Sequence, residues 1–245
     1  GSSVLAVTAR EGEAGQIEVA LPLGGTDADL AFAADMMAHL LAFDVDLSGF
    51  YEMLSYDSVL AEAVGSLRGL RPARNETVFE ALVLAILAQQ ISAAVARVMR
   101  DGLVETFGTP VEVDGHTLYA FPRPESLFNA GTDDLRAQKL SARKVEYVQD
   151  TARRAAEGEL EFETFSALDN EEAIAELIKI RGIGRWTAEW MLMRALGRID
   201  VLPAGDLALR RVVSELYFDG VTINETELAE FGEQQWSPYR GLATA

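Results

Sequence analysis

Asp206 is the residue of this chain whose type and position are best suited to chemistry. It follows Pro203-Ala204-Gly205 and precedes a helix-forming segment at residues 207–211, so we expect it to cap the start of a helix. Most aspartates in this position serve only as caps. An ionised carboxylate can in addition stabilise a cation that develops during bond cleavage, and it can orient or deprotonate water. The residues alone leave both a structural and a catalytic role open for Asp206.

A glycine-containing turn, Gly182-Ile183-Gly184, precedes Asp206 along the chain, within a predicted helical hairpin at residues 177–197. Gly182 and Gly184 allow a tight turn because they have no Cβ atom. Apolar residues recur at helical spacing on both sides: Ile174, Leu177, Ile178 and Ile180 before the turn, and Trp186, Trp190, Met191 and Met193 after it. A helix that starts directly after such a turn aims unpaired backbone N–H groups at one point, which suits a phosphate. A Gly-x-Gly turn alone is also common without any ligand.

The N-terminal region has a different pattern from the rest of the chain. Residues 4–8 and 16–23 are short β-like runs on either side of a predicted turn at residues 11–15. Two strands alone are only marginally stable, and the predicted helix at residues 27–42 could cover them.

Helical patterns dominate the remainder. Long helices are predicted at residues 77–99 and 141–158, and a turn or strand pair lies within residues 111–118. The sequence therefore predicts a mainly α protein. It divides into a short N-terminal antiparallel β/α extension, residues 1–70, and a helical domain, residues 71–245.

The composition excludes several classes of protein. The chain has 245 residues, of which 49% are hydrophobic and 24% charged, values typical of a globular protein. No apolar run is long enough to cross a bilayer and no signal segment is recognisable, so we expect a cytoplasmic protein without a membrane partner. Cysteine is absent, which excludes disulfides, thiol catalysis and an iron–sulfur cluster. The two histidines, His39 and His116, have no partner at metal-ligand spacing.

The charge distribution bears on nucleic-acid binding. The formal net charge of −18 argues against it, because phosphates require a local positive potential. Residues 178–215 nevertheless contain seven Lys or Arg and four acidic residues, a local charge of +3. An acidic protein with one basic face could bind DNA through a short phosphate footprint and with modest affinity. The acidic residues could equally serve only solubility.

The hairpin followed by Asp206 resembles the helix-hairpin-helix (HhH-GPD) DNA glycosylases, and within them the alkylation-repair branch of 3-methyladenine DNA glycosylase II. The resemblance extends to VFEALVLAILAQQIS from Val78, to Phe121-Pro122-Arg123-Pro124, and to LSARKVEYV from Leu140. It covers most of residues 70–245 and is weaker before residue 70. It implies a two-lobed helical fold and a monomer that acts on damaged double-stranded DNA.

The resemblance also assigns roles to individual residues. It implies that Asp206 is the catalytic carboxylate, and that Trp186, Trp190 and Phe79 line the substrate pocket. Gln90, beside Gln89, matches the position that inserts a side chain into the gap left by a flipped nucleotide. Further DNA contacts are expected from Gly182, Gly184, Arg185 and Thr187. A structural Na⁺ or K⁺ is expected on the backbone carbonyls of Ile178, Ile180 and Ile183, and no cofactor is required.

One position separates this chain from its bifunctional relatives. Trp186 stands where β-lyase members of the superfamily have a lysine nucleophile, and without that amine no Schiff base to the sugar can form. We therefore expect a monofunctional enzyme that excises alkylated, cationic purines and leaves the strand intact. From the resemblance we also expect a more open pocket, without a further aromatic that a family member has C-terminally. Two alternatives stay open: a non-catalytic helix-hairpin-helix DNA-binding module, and a glycosylase for other lesions such as deaminated or etheno bases.

Overall fold

The computed structural model of the chain describes residues 4–13 and 16–245. In these residues the protein is mostly helical and has two small antiparallel sheets, as the sequence predicts. The helices are α1 (Asp27–Leu40), α2 (Ser48–Met53), α3 (Ser58–Gly65), α4 (Val78–Ala88), α5 (Ala93–Phe107), α6 (Pro124–Phe128), α7 (Thr132–Ala137), α8 (Ala142–Ala156), α9 (Phe162–Ser166), α10 (Asn170–Leu177), α11 (Arg185–Arg194), α12 (Leu207–Tyr217), α13 (Glu225–Trp236) and α14 (Arg240–Ala243). The strands are β1 (Thr8–Glu11), β2 (Ile17–Ala20), β3 (Thr109–Val113) and β4 (His116–Ala120). Across the described ranges, no helix combines the length and the apolar character needed to span a bilayer.

An N-terminal hairpin is present, as predicted, but its first strand lies at Thr8–Glu11 and not at residues 4–8. The N–H of Gly12 donates to the carbonyl of Gln16 (2.8 Å), so strand pairing begins directly beside a short turn and includes Glu11. Strands β1 and β2 pair antiparallel, with Thr8 opposite Ala20 and Glu11 opposite Ile17. Helix α1 packs against β2, as expected of a two-stranded sheet that needs a covering element. Ala14 and Gly15, in the predicted turn, lie outside the described residues.

The chain forms two compact units that interleave along the sequence. The first comprises Gly1–Leu40 in its described part, Asn75–Thr164 and Ile180–Gly182. The second comprises Leu41–Arg74, Phe165–Lys179 and Ile183–Ala245. Because these units alternate along the chain, they are not consecutive segments. The predicted division into residues 1–70 and 71–245 stays a prediction.

The core of the first unit is built around α4. This helix packs against α5 and α8, and α8 in turn packs against α6. The buried side chains of α4 are all apolar and include Phe79, Leu82 and Ile86, which recur at helical spacing. The strand pair predicted within residues 111–118 is present as β3 and β4, with Val111 opposite Leu118.

The single helix predicted for residues 77–99 is wrong. Helix α4 ends at Ala88, and α5 begins at Ala93 after a turn. Ser92 restarts the helix, because its side chain accepts a hydrogen bond from the backbone N–H of Val95. Gln90 lies in the turn with φ of +59°, so its backbone cannot continue a right-handed helix. The apolar periodicity runs through both helices and does not reveal the break.

The second unit contains the hairpin helices α10 and α11, which pack against each other, and α12 and α13. Its core is an apolar cluster that includes Phe50, Val213, Leu228 and the fully buried Trp236. Asp57 caps α3 and also accepts hydrogen bonds from the indole of Trp236 and the hydroxyl of Tyr217. This network supports the packing of α12 and α13, and α12 carries Asp206 at its start.

Candidate active site

Asp206 is the N-cap of α12, as the sequence predicts. Its Oδ1 accepts from the backbone N–H groups of Ala208 (2.8 Å) and Leu209 (2.9 Å). The turn before it is closed by a bond from the N–H of Asp206 to the carbonyl of Pro203 (2.9 Å). These bonds orient the carboxylate through Oδ1 and leave Oδ2 available to another donor.

The second oxygen of Asp206 is held by Trp186. The indole Nε1 donates to Oδ2 at 3.0 Å, across 20 residues of sequence. Trp186 is 42% exposed, so the indole is both anchored to the carboxylate and open to solvent. Since all three partners donate, the arrangement matches an acceptor-only carboxylate. An exposed aromatic surface and a fixed carboxylate therefore stand side by side in the second unit.

The predicted turn between α10 and α11 is present, and its two glycines have different roles. Gly182 has φ of +90°, and a Cβ atom there would lie 2.4 Å from the ring of Tyr147. Both the conformation and the space require glycine at this position. Gly184 is the exposed N-cap of α11, and a Cβ atom there would meet no atom within 4 Å. Among the described residues, no contact requires glycine at position 184.

The start of α11 is an uncapped helix N-terminus. No side chain caps it, and the first intrahelical bond runs from the N–H of Ala188 to the carbonyl of Gly184. The N–H groups of the first turn therefore point outward beside an exposed glycine, as required for an approaching anion.

Arg185, predicted to contact DNA, is already engaged in ion pairs. Its guanidinium donates to both oxygens of Glu171 (2.6 and 3.0 Å) and to Oε1 of Glu189 (3.0 Å). The bond to Glu171 raises the pKa of Arg185, and the same bond lowers the pKa of Glu171. Sequence reasoning missed both carboxylates, although Glu189 lies one helical turn after Arg185 and the i,i+4 spacing is a signal for such a pair.

Glu189 is the most perturbed carboxylate of this region. Its side chain is 7% exposed, and burial raises its pKa to about 7, against which Arg185 acts to lower it. It borders a cavity of about 510 Å³ whose other charged lining residues are Glu171, Arg185, Asp200, Glu225 and Arg240. Asp206 and Trp186 do not line this cavity, although their sequence neighbours Ala204 and Arg185 do.

Three other predicted site residues are more buried than a surface contact requires. Thr187 is 4% exposed, so its backbone N–H is better placed than its side chain for a phosphate contact, and that contact stays a prediction. Phe79 is 6% exposed and packs edge-on against Phe121 in the core of the first unit, with ring centroids 6.0 Å apart. Trp190 is half-buried, one turn after Trp186. The pocket roles of Phe79 and Trp190 stay predictions.

Gln89 and Gln90 differ in their exposure and in their hydrogen bonds. Gln89 donates from Nε2 to the carbonyl of Gly182 (2.9 Å), so its amide N–H is used inside the first unit. Gln90 is exposed in the turn after α4. Lys144, which the sequence analysis did not single out, donates to the carbonyls of Leu87 (2.6 Å) and Gln89 (3.0 Å).

The basic character read from residues 178–215 is largely compensated within the protein. Four of the seven cations form ion pairs: Lys179 with Glu176, Arg181 with Glu146, Arg185 with Glu171, and Arg211 with Glu215. Two more, Arg194 and Arg198, donate to backbone carbonyls. The local charge of +3 therefore overstates the potential that a phosphate would meet.

The predicted alkali-metal site would use backbone carbonyls, namely those of Ile178, Ile180 and Ile183. Carbonyl oxygens suit hard cations such as Na⁺ and K⁺, so the donor chemistry fits. In the described part of the chain, no group of three or more His, Asp or Glu offers an alternative side-chain site. The carbonyl site stays a prediction.

The fold and the hairpin place the chain in a known family. Residues 83–238 match the HhH-GPD superfamily of base excision DNA repair proteins, and the chain belongs to this family. A relative from Bacillus subtilis (strain 168), described as a DNA-3-methyladenine glycosylase, is 34% identical over 201 residues. The match covers 82% of this chain and 66% of that protein. The chain spans 57% and 42% of two further bacterial relatives.

Solved structures agree with this assignment. The 3-methyladenine DNA glycosylase from Archaeoglobus fulgidus superposes with a TM-score of 0.85 at 31% identity, over 97% of this chain and 80% of that one. The Schizosaccharomyces pombe 3-methyladenine DNA glycosylase Mag1, solved in complex with abasic DNA, superposes with a TM-score of 0.62 at 29% identity. That match covers 76% of this chain and 86% of Mag1. The expected superfamily and its alkylation-repair branch are thus confirmed as the relatives of this chain.

Proposed function

We propose that the protein is a monofunctional DNA glycosylase that flips alkylated purines out of double-stranded DNA and hydrolyses their N-glycosidic bond. The observation that carries this proposal is the fixed pair of Asp206 and Trp186, with the indole Nε1 3.0 Å from the carboxylate. The relatives described as 3-methyladenine DNA glycosylases support the choice of substrate. The enzyme acts as a monomer.

Asp206 supplies the negative charge that the reaction needs. As the base departs, positive charge develops on the sugar, and a fixed carboxylate stabilises that charge electrostatically. The same group orients or deprotonates the attacking water. A purine alkylated at N3 or N7 is already a cationic leaving group, so no general acid is required to protonate it.

Trp186 serves as the platform for the flipped base. An exposed indole face attracts an electron-poor, positively charged ring through stacking and cation–π interaction. The bond from its Nε1 to Asp206 sets the distance between that platform and the carboxylate. Lesion recognition and charge stabilisation are therefore coupled through one side chain.

The hairpin binds the DNA backbone. The open N–H groups at the start of α11, next to exposed Gly184, would donate hydrogen bonds to a phosphate at the positive end of the helix dipole. The carbonyls of Ile178, Ile180 and Ile183 would hold a Na⁺ or K⁺, which would supply positive charge to the hairpin. Because most neighbouring cations are already paired, this footprint is short and the affinity modest.

The decisive experiment compares the wild type with Asp206→Asn on a panel of duplexes that each carry one lesion: an alkylated purine, a deaminated base or an etheno base. We expect release of the alkylated base by the wild type and a loss of at least about a hundredfold in Asp206→Asn, with binding retained. The substitution is nearly isosteric, but it removes the charge and one of the two acceptor oxygens, so the bond to Trp186 and the cap on α12 cannot both be kept. Binding without release of any base by the wild type would favour a DNA-binding module, and release of only the other lesions would change the substrate.

A further inference from the structure

We propose that Lys144 is a positioning residue. It holds the turn after α4 in the conformation from which the side chain of Gln90 can insert into the gap left by a flipped nucleotide. The inference rests on the proposed function, since it concerns how the enzyme keeps a nucleotide flipped. Every residue that carries it lies in the first compact unit.

Lys144 closes the C-terminal end of α4. Its Nζ donates to the carbonyl of Leu87 at 2.6 Å and to that of Gln89 at 3.0 Å. The last carbonyls of a helix lack intrahelical donors, and a cation there also complements the negative end of the helix dipole. Both bonds reach 55 residues or more back along the chain, so α8 supplies a cap that α4 cannot make for itself.

Gln90 needs such support. Its φ of +59° lies in the left-handed region, which costs a non-glycine residue energy and persists only where the surroundings impose it. The carbonyl of Gln89, immediately before it, is the one that Lys144 holds. The amide side chain of Gln90 is exposed in this turn.

The same helix, α8, also contacts the tip of the hairpin. Gln89 donates from its side chain to the carbonyl of Gly182, against which the ring of Tyr147 packs. Glu146 forms an ion pair with Arg181 at 3.0 Å. Residues of one helical turn of α8 therefore contact both the turn that contains Gln90 and the hairpin tip at Arg181 and Gly182.

Lys144 is committed to this structural position and is not a free surface cation. It is part-buried, and burial lowers the pKa of its ammonium group. Both of its hydrogen bonds go to backbone carbonyls. Replacement by a neutral side chain removes two charge-assisted bonds from the turn and releases Gln90 from its left-handed conformation.

The test compares one alkylated purine in two contexts, a fully paired duplex and a single-nucleotide bulge. In the duplex, flipping leaves an unpaired partner base and a gap that the inserted side chain must fill. In the bulge there is no partner base and no gap. We expect Lys144→Met to slow excision on the order of tenfold in the duplex and far less in the bulge.

A double-mutant cycle links Lys144 to Gln90. Gln90→Ala should show the same preference for the bulge, and Lys144→Met combined with Gln90→Ala should be no slower than the slower single variant. Lys144→Arg, which keeps a cationic donor, should recover most of the duplex activity. Exposed Lys139→Met is the matched control for the loss of one positive charge.

Equal losses in both contexts, or multiplicative losses in the double variant, would overturn the assignment of Lys144. Should Lys144→Met not fold, Lys144→Gln keeps a donor without the charge and carries the same comparison. Absence of wild-type excision from both substrates would instead refute the proposed function. The two failures are therefore distinguishable.

Discussion

The indole of Trp186 donates a hydrogen bond of 3.0 Å to the carboxylate of Asp206. The side chain that stands in place of the lyase nucleophile thus contacts the one carboxylate proposed to be catalytic. Substitution of this tryptophan removes two separable properties, the aromatic face and the N–H donor.

We expect Trp186→Phe to separate them. Phenylalanine keeps an aromatic face for stacking but cannot donate to Asp206, so kcat should fall on the order of tenfold while binding of the lesion changes less. Trp186→Leu loses both properties and should weaken binding as well. Single-turnover excision and binding to an uncleavable analogue measure the two quantities. Wild-type rates in Trp186→Phe would show that the hydrogen bond has no part in catalysis.

Gly184→Asp tests the anion site at the start of α11. A Cβ atom at this position meets nothing within 4 Å, and aspartate is a good N-cap, so the thermal stability should stay the same or rise slightly. The carboxylate would face the DNA phosphate, and affinity should fall about tenfold. Gly184→Asn is the matched neutral control and should bind more tightly than Gly184→Asp. Equal affinity of the two variants at moderate salt would show that no DNA phosphate binds at this helix start.

The product chemistry follows from the absence of an amine at position 186. Borohydride should trap no covalent complex between enzyme and DNA, and strand breaks should appear only after alkali or heat. Lys179 forms an ion pair with Glu176 at 2.6 Å on the surface of the second unit, so its amine is already engaged. A trapped adduct in the wild type that disappears in Lys179→Ala would contradict the monofunctional assignment.

Glu189 makes the stability of the protein depend on pH. Burial raises its pKa from an ordinary 4.5 to about 7, and Glu171 and Glu225 act in the same direction. The folded state therefore binds this proton more readily than the unfolded state. The stabilisation is fully present below about pH 4.5 and is lost as the pH rises through 7, by at most about 1.4 kcal/mol per pH unit.

Glu189→Gln stays neutral and lacks this dependence. Its amide oxygen can still accept the hydrogen bond from Arg185, so the difference in stability from the wild type should shift in favour of the variant as the pH rises from about 4.5 to about 7. Thermal unfolding of both proteins across that range measures the difference. A difference that does not change with pH would mean that Glu189 does not titrate in this window.

Local sequence patterns determined the parts of the site that depend on neighbouring residues. The glycine turn, the helix after it and the capping role of Asp206 follow from backbone propensities and apolar periodicity within about ten residues, and the structure contains all three. The cysteine-free composition and the aromatic residue at position 186 also need no coordinates. Periodicity failed at Gln90, because the apolar stripe continues across a turn that only backbone conformation reveals.

Only the tertiary structure showed which side chains of the candidate site already have hydrogen-bond or ion-pair partners within the protein. The bond between Trp186 and Asp206, the pairing of Arg185 with Glu171, and the cap that Lys144 places on Leu87 and Gln89 join residues 14 to 57 positions apart. Such contacts depend on how helices pack and on which rotamers that packing permits, and single-sequence periodicity contains neither. For this reason the sequence indicated the carboxylate and the hairpin, whereas the neutralised arginine and the supported Gln90 turn became visible only in the folded chain.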